Sequence, residues 1–394
     1  MKPWEFWIDV GGTFTDCIAR SPDDRLIECK VLSSGVTKRR VAEVLGPVRF
    51  CDTSSHRDPA GFWVGYELRF LDPLGQPCFV SRVTAFDAGT GSFTTAALLP
   101  EGIEPGTSVE LDSGEESPIL AIRTVLGLRR DEQIPPVSVR LGTTRGTNAL
   151  LTRRGANTAF VTTRGFADIL LIANQDRPRL FDLAIQKSEP LFERVIEIDE
   201  RLDADGHVLR APDDKTVRSQ LAEMRNGNIQ SIAICLLHSF ANSAHEQLVE
   251  QWAREAGFAE ISVSSRLSPL IKIVSRGDTT VVDAYLNPVL RQYVESLRRS
   301  LIGSQLRLMT SAGGLVDADR FVGKDSILSG PAGGVIGFSR VAERAGFARS
   351  IGFDMGGTST DVSRFDGRYE LEFETKKGGV RVVAPMLSIE TVAA

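Results

Sequence analysis

The stretch Asp9-Val10-Gly11-Gly12-Thr13-Phe14-Thr15-Asp16 decides the reading of this chain, because it returns near the carboxyl end as Asp354-Met355-Gly356-Gly357-Thr358-Ser359-Thr360-Asp361. Six of the eight positions are identical, both carboxylates among them. Each copy follows an apolar run, Trp7-Ile8 in one case and Ile351-Gly352-Phe353 in the other, and each leads into a second, Cys17-Ile18-Ala19 and Val362-Ser363. Both read as strand-turn-strand hairpins with a glycine-threonine tip. A turn with capping side chains explains one such hairpin, but gives no reason for recurrence with the same two acids. Paired glycines let backbone N–H groups approach an anion and supply turn dihedrals that other residues resist. Threonine hydroxyls add donors, and an Asp at the strand end, although it repels phosphate, can hold Mg2+ or its water shell. Two such hairpins facing each other are expected to clamp a polyphosphate. Neither GxxxxGK[ST] nor GxGxxG before a helix occurs, which excludes the two commoner phosphate loops.

The rest of the composition is that of a globular protein. The 394 residues allow about two to four domains. Hydrophobic residues make up 42% and charged residues 25%, which excludes a disordered tail or a filament. Lys plus Arg number 46 against 51 Asp plus Glu, so the chain as a whole does not match nucleic acid or an acidic membrane, and only a local basic cleft is left open. The cysteines Cys17, Cys29, Cys51, Cys78 and Cys235 are odd in number and scattered, with no CxxC pair, which argues against a disulfide framework or a zinc cage. His238 and His245 read as a loop and a helix-surface histidine rather than a metal site, and the pairs Arg39-Arg40 and Arg298-Arg299 as solvated faces. Asp9 interrupts any leader-like apolar run and no later segment approaches 18 apolar residues, so a reducing cytoplasm is the expected location.

Between residues 46 and 112 Pro and Gly punctuate short apolar runs such as Phe62-Trp63-Val64, predicting a β-rich insert. Helical period returns from Ser113 through Ile119, Ile122, Val125 and Leu126. A strand over 137–141 leads into Gly142-Thr143-Thr144-Arg145-Gly146-Thr147-Asn148, with a helix beginning at Ala149. This polar segment suits either a ligand-facing loop, Arg145 being available for a carboxylate, or an N-cap cluster. After a strand over 158–162 and a polar joint over 199–214, helix and strand alternate (217–224, 231–237, 245–256, 261–263), which predicts an α/β layer. A long helical run over 279–301 is expected to break near Pro288.

The twin hairpins resemble those of the actin, Hsp70 and sugar-kinase ATPase superfold, and more closely the chain resembles the hydantoinase A/oxoprolinase family. The residues that carry this resemblance are 6–16, 141–151, 162–183 with Asn174-Gln175-Asp176-Arg177-Pro178, 197–202, 235–240, 276–288, 329–337 and 352–362. Phe6-Trp7-Ile8-Asp9, Asn174-Gln175 and Leu180-Phe181-Asp182-Leu183 are similar to 5-oxoprolinases, whereas Val10 stands where that branch often has Arg and is usual in hydantoinases and related carboxylases. The resemblance implies an α/β, actin-like (ribonuclease H-like) ATPase lobe over 1–45 and 113–345, carrying the 46–112 insert, and the start of a second lobe over 346–394. It places the N-terminal family region at about 4–205 and the hydantoinase A region from about 206.

It also implies ATP and Mg2+ as cofactors. Asp9 and Asp354 are then the metal-coordinating residues, and Gly11, Gly12, Thr13, Thr15, Gly356, Gly357, Thr358 and Thr360 surround the phosphates. For Asp16 and Asp361 a catalytic role and a cap on their own turn stand side by side. Thr143, Thr144, Arg145 and Asn148 are the candidate substrate residues. Ser329-Gly330-Pro331-Ala332-Gly333-Gly334-Val335-Ile336-Gly337 reads as a small-residue helix acting as a hinge between lobes, or else as a phosphate or adenosine loop. The implied reaction is ATP-dependent opening of a small cyclic amide, with a hydantoinase B-like domain or subunit as partner and assembly into a homo- or hetero-oligomer. A hydantoinase or ketone-carboxylase ATP-using subunit, a small-metabolite kinase and an ATP-switched scaffold are the alternatives. Relatives typically continue beyond the point where this chain ends, so it is expected to be an amino-terminal fragment or split product carrying both hairpins without the wall that grips the base.

Overall fold

Alternation along the first two strands sets the first sheet. In the strand Glu5–Val10 the side chains of Phe6 and Ile8 are buried, and in Phe14–Arg20 those of Thr15, Cys17 and Ala19, so one face of each turns inward. The computed structural model describes residues 2–175, 181, 184, 187–356 and 359–393. In it these two strands pair antiparallel and Leu26–Leu32 extends the meander. On its other side Glu5–Val10 runs parallel to Ser138–Thr143, which runs parallel to Gln305–Met309. The helix Ser117–Leu126 packs on the meander through buried Ile119, Leu120, Ala121 and Ile122. Pro118 sits in its first turn and left-handed Gly127 (φ 67°) ends it.

The β-rich insert begins at Val36 rather than Gly46. Its seven strands are all antiparallel, in the order Val36–Arg40, Ser108–Asp112, Glu67–Leu71, Pro77–Asp87, Ser92–Thr95, Arg49–Cys51 and Glu43–Gly46. Gly35 explains the early start: at φ 75°, with Glu115 O 2.7 Å from where a Cβ would lie, it turns the chain out of Leu26–Leu32 directly into the new sheet. The core is aromatic, Phe50 stacking on Phe93 at 5.2 Å among Phe62, Trp63, Tyr66 and Phe70. Arg39 is not on a solvated face. It lies over the Trp63 ring at 5.3 Å and donates to Ser55 Oγ (3.1 Å) and Asp58 Oδ2 (3.3 Å).

By compactness the chain divides into Met1–Thr143 with Val294–Leu308, and Thr144–Tyr293 with Met309–Ala394. These breaks do not coincide with boundaries at 45, 112 or 345. In the second unit a parallel four-stranded sheet runs in the order Arg194–Ile198, Thr158–Thr163, Ser231–Cys235 and Glu260–Val263. The helices Asp214–Asn226 and Ala244–Glu255 give it the expected α/β layer, with Val217, Leu221, Val249 and Trp252 in one core with Val161, Ile196 and Ile234. The polar joint holds a short antiparallel pair, Arg201–Leu202 with Val208–Arg210.

The long helix runs unbroken from Ile273 to Ser300, past Pro288. Two tertiary anchors that local period does not reveal account for this. Fully buried Arg276 donates to the carbonyls of Leu270 (2.7 Å) and Leu236 (2.6 Å) and so draws the helix start back from Thr279. Asn287, ahead of the proline, donates to Asp283 (2.9 Å) and accepts from Gly323 N (2.8 Å), bracing the turn that Pro288 weakens. The small-residue segment forms the first half of the helix Ser329–Arg344, with Ala332 and Val335 packed on Leu387 and Ile389. That helix lies against the second hairpin so closely that a Cβ on Gly352 would collide with the Phe338 ring. The five cysteines are free thiols. Among the described residues no helix is long and apolar enough to cross a membrane.

Candidate functional site

The first hairpin belongs to the first unit. Asp9 pairs with Asp16 and Val10 with Thr15 across it. Gly11 N donates to Phe14 O at 3.0 Å, closing the bend, and a Cβ on Gly11 would sit 3.0 Å from that same oxygen. Above Gly12 there is open space. Neither glycine adopts a left-handed φ, so their role is clearance rather than the unusual dihedral expected of them. Ser33 braces the tip, its Oγ donating to Gly11 O (2.8 Å) and its N to Thr13 O (2.9 Å). Asp9, Gly12, Thr13 and Asp16 are exposed.

Thr15 corrects the expected phosphate-binding set. Its side chain is fully buried, with Oγ1 hydrogen-bonded to Ser33 Oγ (3.0 Å) and Ser117 Oγ (2.8 Å), so the hydroxyl belongs to the fold. Strand alternation dictates this, since Thr15 shares a face with Cys17 and Ala19. Asp16 does not cap its own turn. Its Oδ1 accepts from Nζ of Lys30, the cross-strand partner, at 2.6 Å, and Lys30 lies 5.1 Å from the Phe14 ring centroid.

The second hairpin, Ser350–Met355 with Ser359–Phe365, belongs to the second unit and repeats the register: Asp354 pairs with Asp361 and Met355 with Thr360. A third strand, Glu390–Ala393, sets Thr391 opposite Asp361 and Val392 opposite Thr360. Asp354 and Gly356 are exposed, Thr360 and Asp361 half-buried. Gly357 and Thr358 lie outside the described residues, as do Asp176, Arg177, Pro178, Leu180, Asp182 and Leu183 of the resemblance. Exposed carboxylates at a strand end beside a glycine bend form an all-oxygen donor set, which suits a hard cation such as Mg2+ that keeps several waters.

The segment after Gly142 is largely helical. The helix Arg145–Leu151 starts four residues ahead of Ala149, because tertiary contacts override the weak local propensity of Gly146 and Thr147. A Cβ on Gly146 would collide with Ser326, and Thr147 Oγ1 donates to Ile327 O. Of the candidate substrate residues, Thr143 is buried in the strand and Thr144 occupies the N-cap position without a side-chain cap bond. Asn148 Nδ2 donates to Thr144 Oγ1 at 3.3 Å. Arg145 is exposed, with its guanidinium stacked 4.8 Å from the Tyr293 ring.

Two features escaped the sequence reading. The first is a buried polar layer beyond the carboxyl ends of the parallel sheet. Glu200 bonds to Thr163 Oγ1 and, at 2.6 Å, to His245 Nδ1, while Glu246 accepts from Leu236 N (2.9 Å), Ser264 Oγ (2.6 Å) and Ser265 N (2.9 Å). His245 is therefore a core residue rather than a helix-surface one. The i, i+7 spacing from His238 concealed this, since only the fold brings Glu200 to it. His238, at φ 60°, is bonded through Nδ1 to Leu202 O (2.9 Å). The second feature is a cavity of about 680 Å³ lined by Asp278, Lys376 and Arg381. Burial pushes the Asp278 carboxyl up to about 7, against the pull of the Arg381 and Lys376 charges. Among the described residues one acid–histidine group, Asp203, Asp205 and His207, is close enough to share an ion, but Asp203 bonds the backbone N of Asp205 (3.0 Å) and His207 (2.8 Å) and so closes its own loop.

Comparison with known proteins adds three findings. The model of the hydantoinase/oxoprolinase N-terminal region matches residues 5–55 and 85–257, past the joint expected near 205, and that of hydantoinase/oxoprolinase matches 276–394. The unmatched segment 56–84 falls within the seven-stranded sheet. A 5-oxoprolinase of Saccharomyces cerevisiae is 42% identical over 328 residues, 73% of this chain and 26% of the relative. The chain spans about a quarter of the length of the curated relatives it matches first. Among solved structures, nucleotide-free acetone carboxylase superposes with a TM-score of 0.68 at 18% identity, over all of this chain and 48% of that one. The ATP-dependent caprolactamase of Pseudomonas jessenii gives 0.63 at 23%, over 98% and 48%. The chain shares the fold of these two enzymes.

Proposed function

The chain belongs to the hydantoinase/oxoprolinase family, and on that premise we propose that it is the ATP-using part of an enzyme that opens cyclic amides, in the manner of a 5-oxoprolinase. The reaction is 5-oxo-L-proline, ATP and two waters to L-glutamate, ADP and phosphate, one water opening the ring and the other ending on the phosphate. The observation that carries this reading is the shared register of the two hairpins, Asp9 opposite Asp16 and Asp354 opposite Asp361 around matching glycine-threonine bends.

In this reading Asp9 and Asp354 hold Mg2+ through its water shell, and the bends at Gly11, Gly12 and Thr13 and at Gly356, Gly357 and Thr358 bind the phosphates. Bound Mg2+ supplies charge neutralisation at the phosphates. The backbone N–H groups of the bends add fixed donors where negative charge develops on the transferring phosphoryl group. Transfer to the amide oxygen turns a poor electrophile into one that water, delivered within this chain or by a hydantoinase B-like partner, attacks at the carbonyl carbon. The ring C–N bond then breaks with the nitrogen leaving as the protonated amine, and a second water releases the phosphate from the acyl phosphate that remains.

The test is calorimetric titration of the chain with Mg·ATP, followed by phosphate release with 5-oxoproline, hydantoin or acetone plus bicarbonate. Nucleotide binding and stimulation by 5-oxoproline support the reading, and absence of nucleotide binding overturns it. One observation favours a second reading, the ATP-using subunit of a carboxylase: Val10 stands where the oxoprolinase branch often carries Arg. Stimulation by the ketone in place of the lactam selects that alternative.

A further inference from the structure

We infer that the cavity beside the long helix is the pocket for the amide substrate, and that it selects small cyclic amides bearing a carboxylate, with Lys376 and Arg381 on the carboxylate and Asp278 against the amide. This rests on the amide-opening reading above and extends it to a location and a specificity.

The two cations are placed by a rigid device. Lys376 and Arg381 are cross-strand partners in the hairpin Thr375–Lys377 with Val380–Val382, and therefore share one face of it. Its two-residue turn, Gly378-Gly379, has φ of 58° and 78°, which side-chain-bearing residues resist. Gly379 also packs so tightly on Ser188 that a Cβ would collide with it. The ribbon is pinned at both ends. Arg153 Nη2 donates to Gly378 O (3.1 Å), and Val383 N donates to Thr279 Oγ1 (2.9 Å), next to Asp278 on the long helix. Arg381 is itself oriented by an ion pair with Glu374 (2.9 Å) and by the amide oxygen of Asn174, which accepts from Nη1 (2.5 Å) and Nη2 (3.1 Å). Lys187, whose Nζ donates to the carbonyls of Leu171 (2.9 Å) and Ile172 (2.8 Å), closes another wall.

The chemistry of the lining selects the ligand class. Leu171, Phe192 and Val281 offer an apolar surface for ring methylenes, and the volume falls within the roughly 300–1,000 Å³ of small-ligand pockets. Three cations, Lys187, Lys376 and Arg381, face Asp278 and Glu189 in the lining, with Glu374 behind Arg381. With Asp278 protonated that leaves one net positive charge, which accommodates a single added carboxylate and falls short of a polyphosphate. An acid held near neutrality suits an amide, since it donates to the carbonyl when protonated and accepts the ring N–H when ionised.

The experiment titrates the 394-residue chain with 5-oxoproline and, separately, with pyrrolidin-2-one, the same ring without the carboxylate, in the absence of nucleotide. Saturable binding of 5-oxoproline is expected, with pyrrolidin-2-one weaker by roughly tenfold or more. Lys376→Ala, at an exposed position, should remove much of that difference by weakening 5-oxoproline alone, and Asp278→Asn should weaken both ligands. Melting temperatures show that each variant is folded. Failure of the wild-type chain to bind 5-oxoproline, or equal affinity for both ligands, overturns the proposal. A parallel Mg·ATP titration separates the two levels: nucleotide binding without lactam binding refutes this pocket alone, and lactam binding without nucleotide binding refutes the ATP-using reading alone.

Discussion

Asp9 stands directly opposite Asp16 across the first hairpin, and Asp16 is in turn matched by Lys30 at 2.6 Å on the next strand. Cross-strand carboxylates repel, and an adjacent lysine offsets that repulsion. The second hairpin keeps the same opposition in Asp354 and Asp361. If the acid nearest each bend holds the metal of a bound nucleotide, Asp9→Ala and Asp354→Ala should each weaken Mg·ATP binding by roughly tenfold or more, with unchanged melting temperature because both side chains are exposed. Asp16→Asn should act more weakly, since Lys30 draws its carboxylate onto the next strand. Calorimetry checks this, and equal affinity in all three variants and wild type removes the hairpins from the nucleotide site.

Thr15 provides the control within the same motif. Thr15→Val keeps the shape but takes the shared partner from the buried Ser117 hydroxyl and the half-buried Ser33 hydroxyl, at a cost of about 1–3 kcal/mol. Urea unfolding should show that loss while Mg·ATP affinity in the folded variant stays within about twofold. A loss of affinity without loss of stability would return Thr15 to the binding set.

The hairpins, the β-rich insert and the α/β alternation were legible because each is written in local pattern: a repeated octapeptide, Pro and Gly punctuation, and a change of hydrophobic period. What was not legible depends on distant partners. The helix at Arg145 begins early because Gly146 meets Ser326, and the long helix begins early because Arg276 reaches Leu236. His245 reads as a surface residue until the fold brings Glu200 to it. The cavity joins Asp278 to Lys376 and Arg381, separated by about a quarter of the chain, and no spacing rule connects them.

Asp283 illustrates the same long-range wiring. Fully buried in the long helix, it accepts from Ser262 Oγ (2.7 Å), Asn287 Nδ2 (2.9 Å) and Lys324 N (2.9 Å). Asp283→Ala leaves those donors unsatisfied and opens a void, so a loss of about 3 kcal/mol or more is expected in denaturant unfolding. A loss below about 1 kcal/mol would show that the three contacts contribute little.

Asp278 makes stability depend on pH with a definite sign. Its folded value, about 7, lies above the ordinary 3.8 because burial disfavours the carboxylate more than Arg381 and Lys376 favour it. Between those two values the folded state holds more protons than the unfolded state, so stability falls as pH rises through the window. The contribution is fully present below about pH 4 and gone above about pH 7, and a displacement of this size corresponds to at most about 4 kcal/mol. Asp278→Asn removes the titration. Relative to wild type it should gain stability from about pH 4 to about pH 7, while Lys376→Ala, which withdraws a favourable charge, should carry the wild-type decline to higher pH. Urea midpoints measured across that range decide the matter: a constant difference between wild type and Asp278→Asn would mean that the carboxyl titrates at its ordinary value and that water reaches it freely.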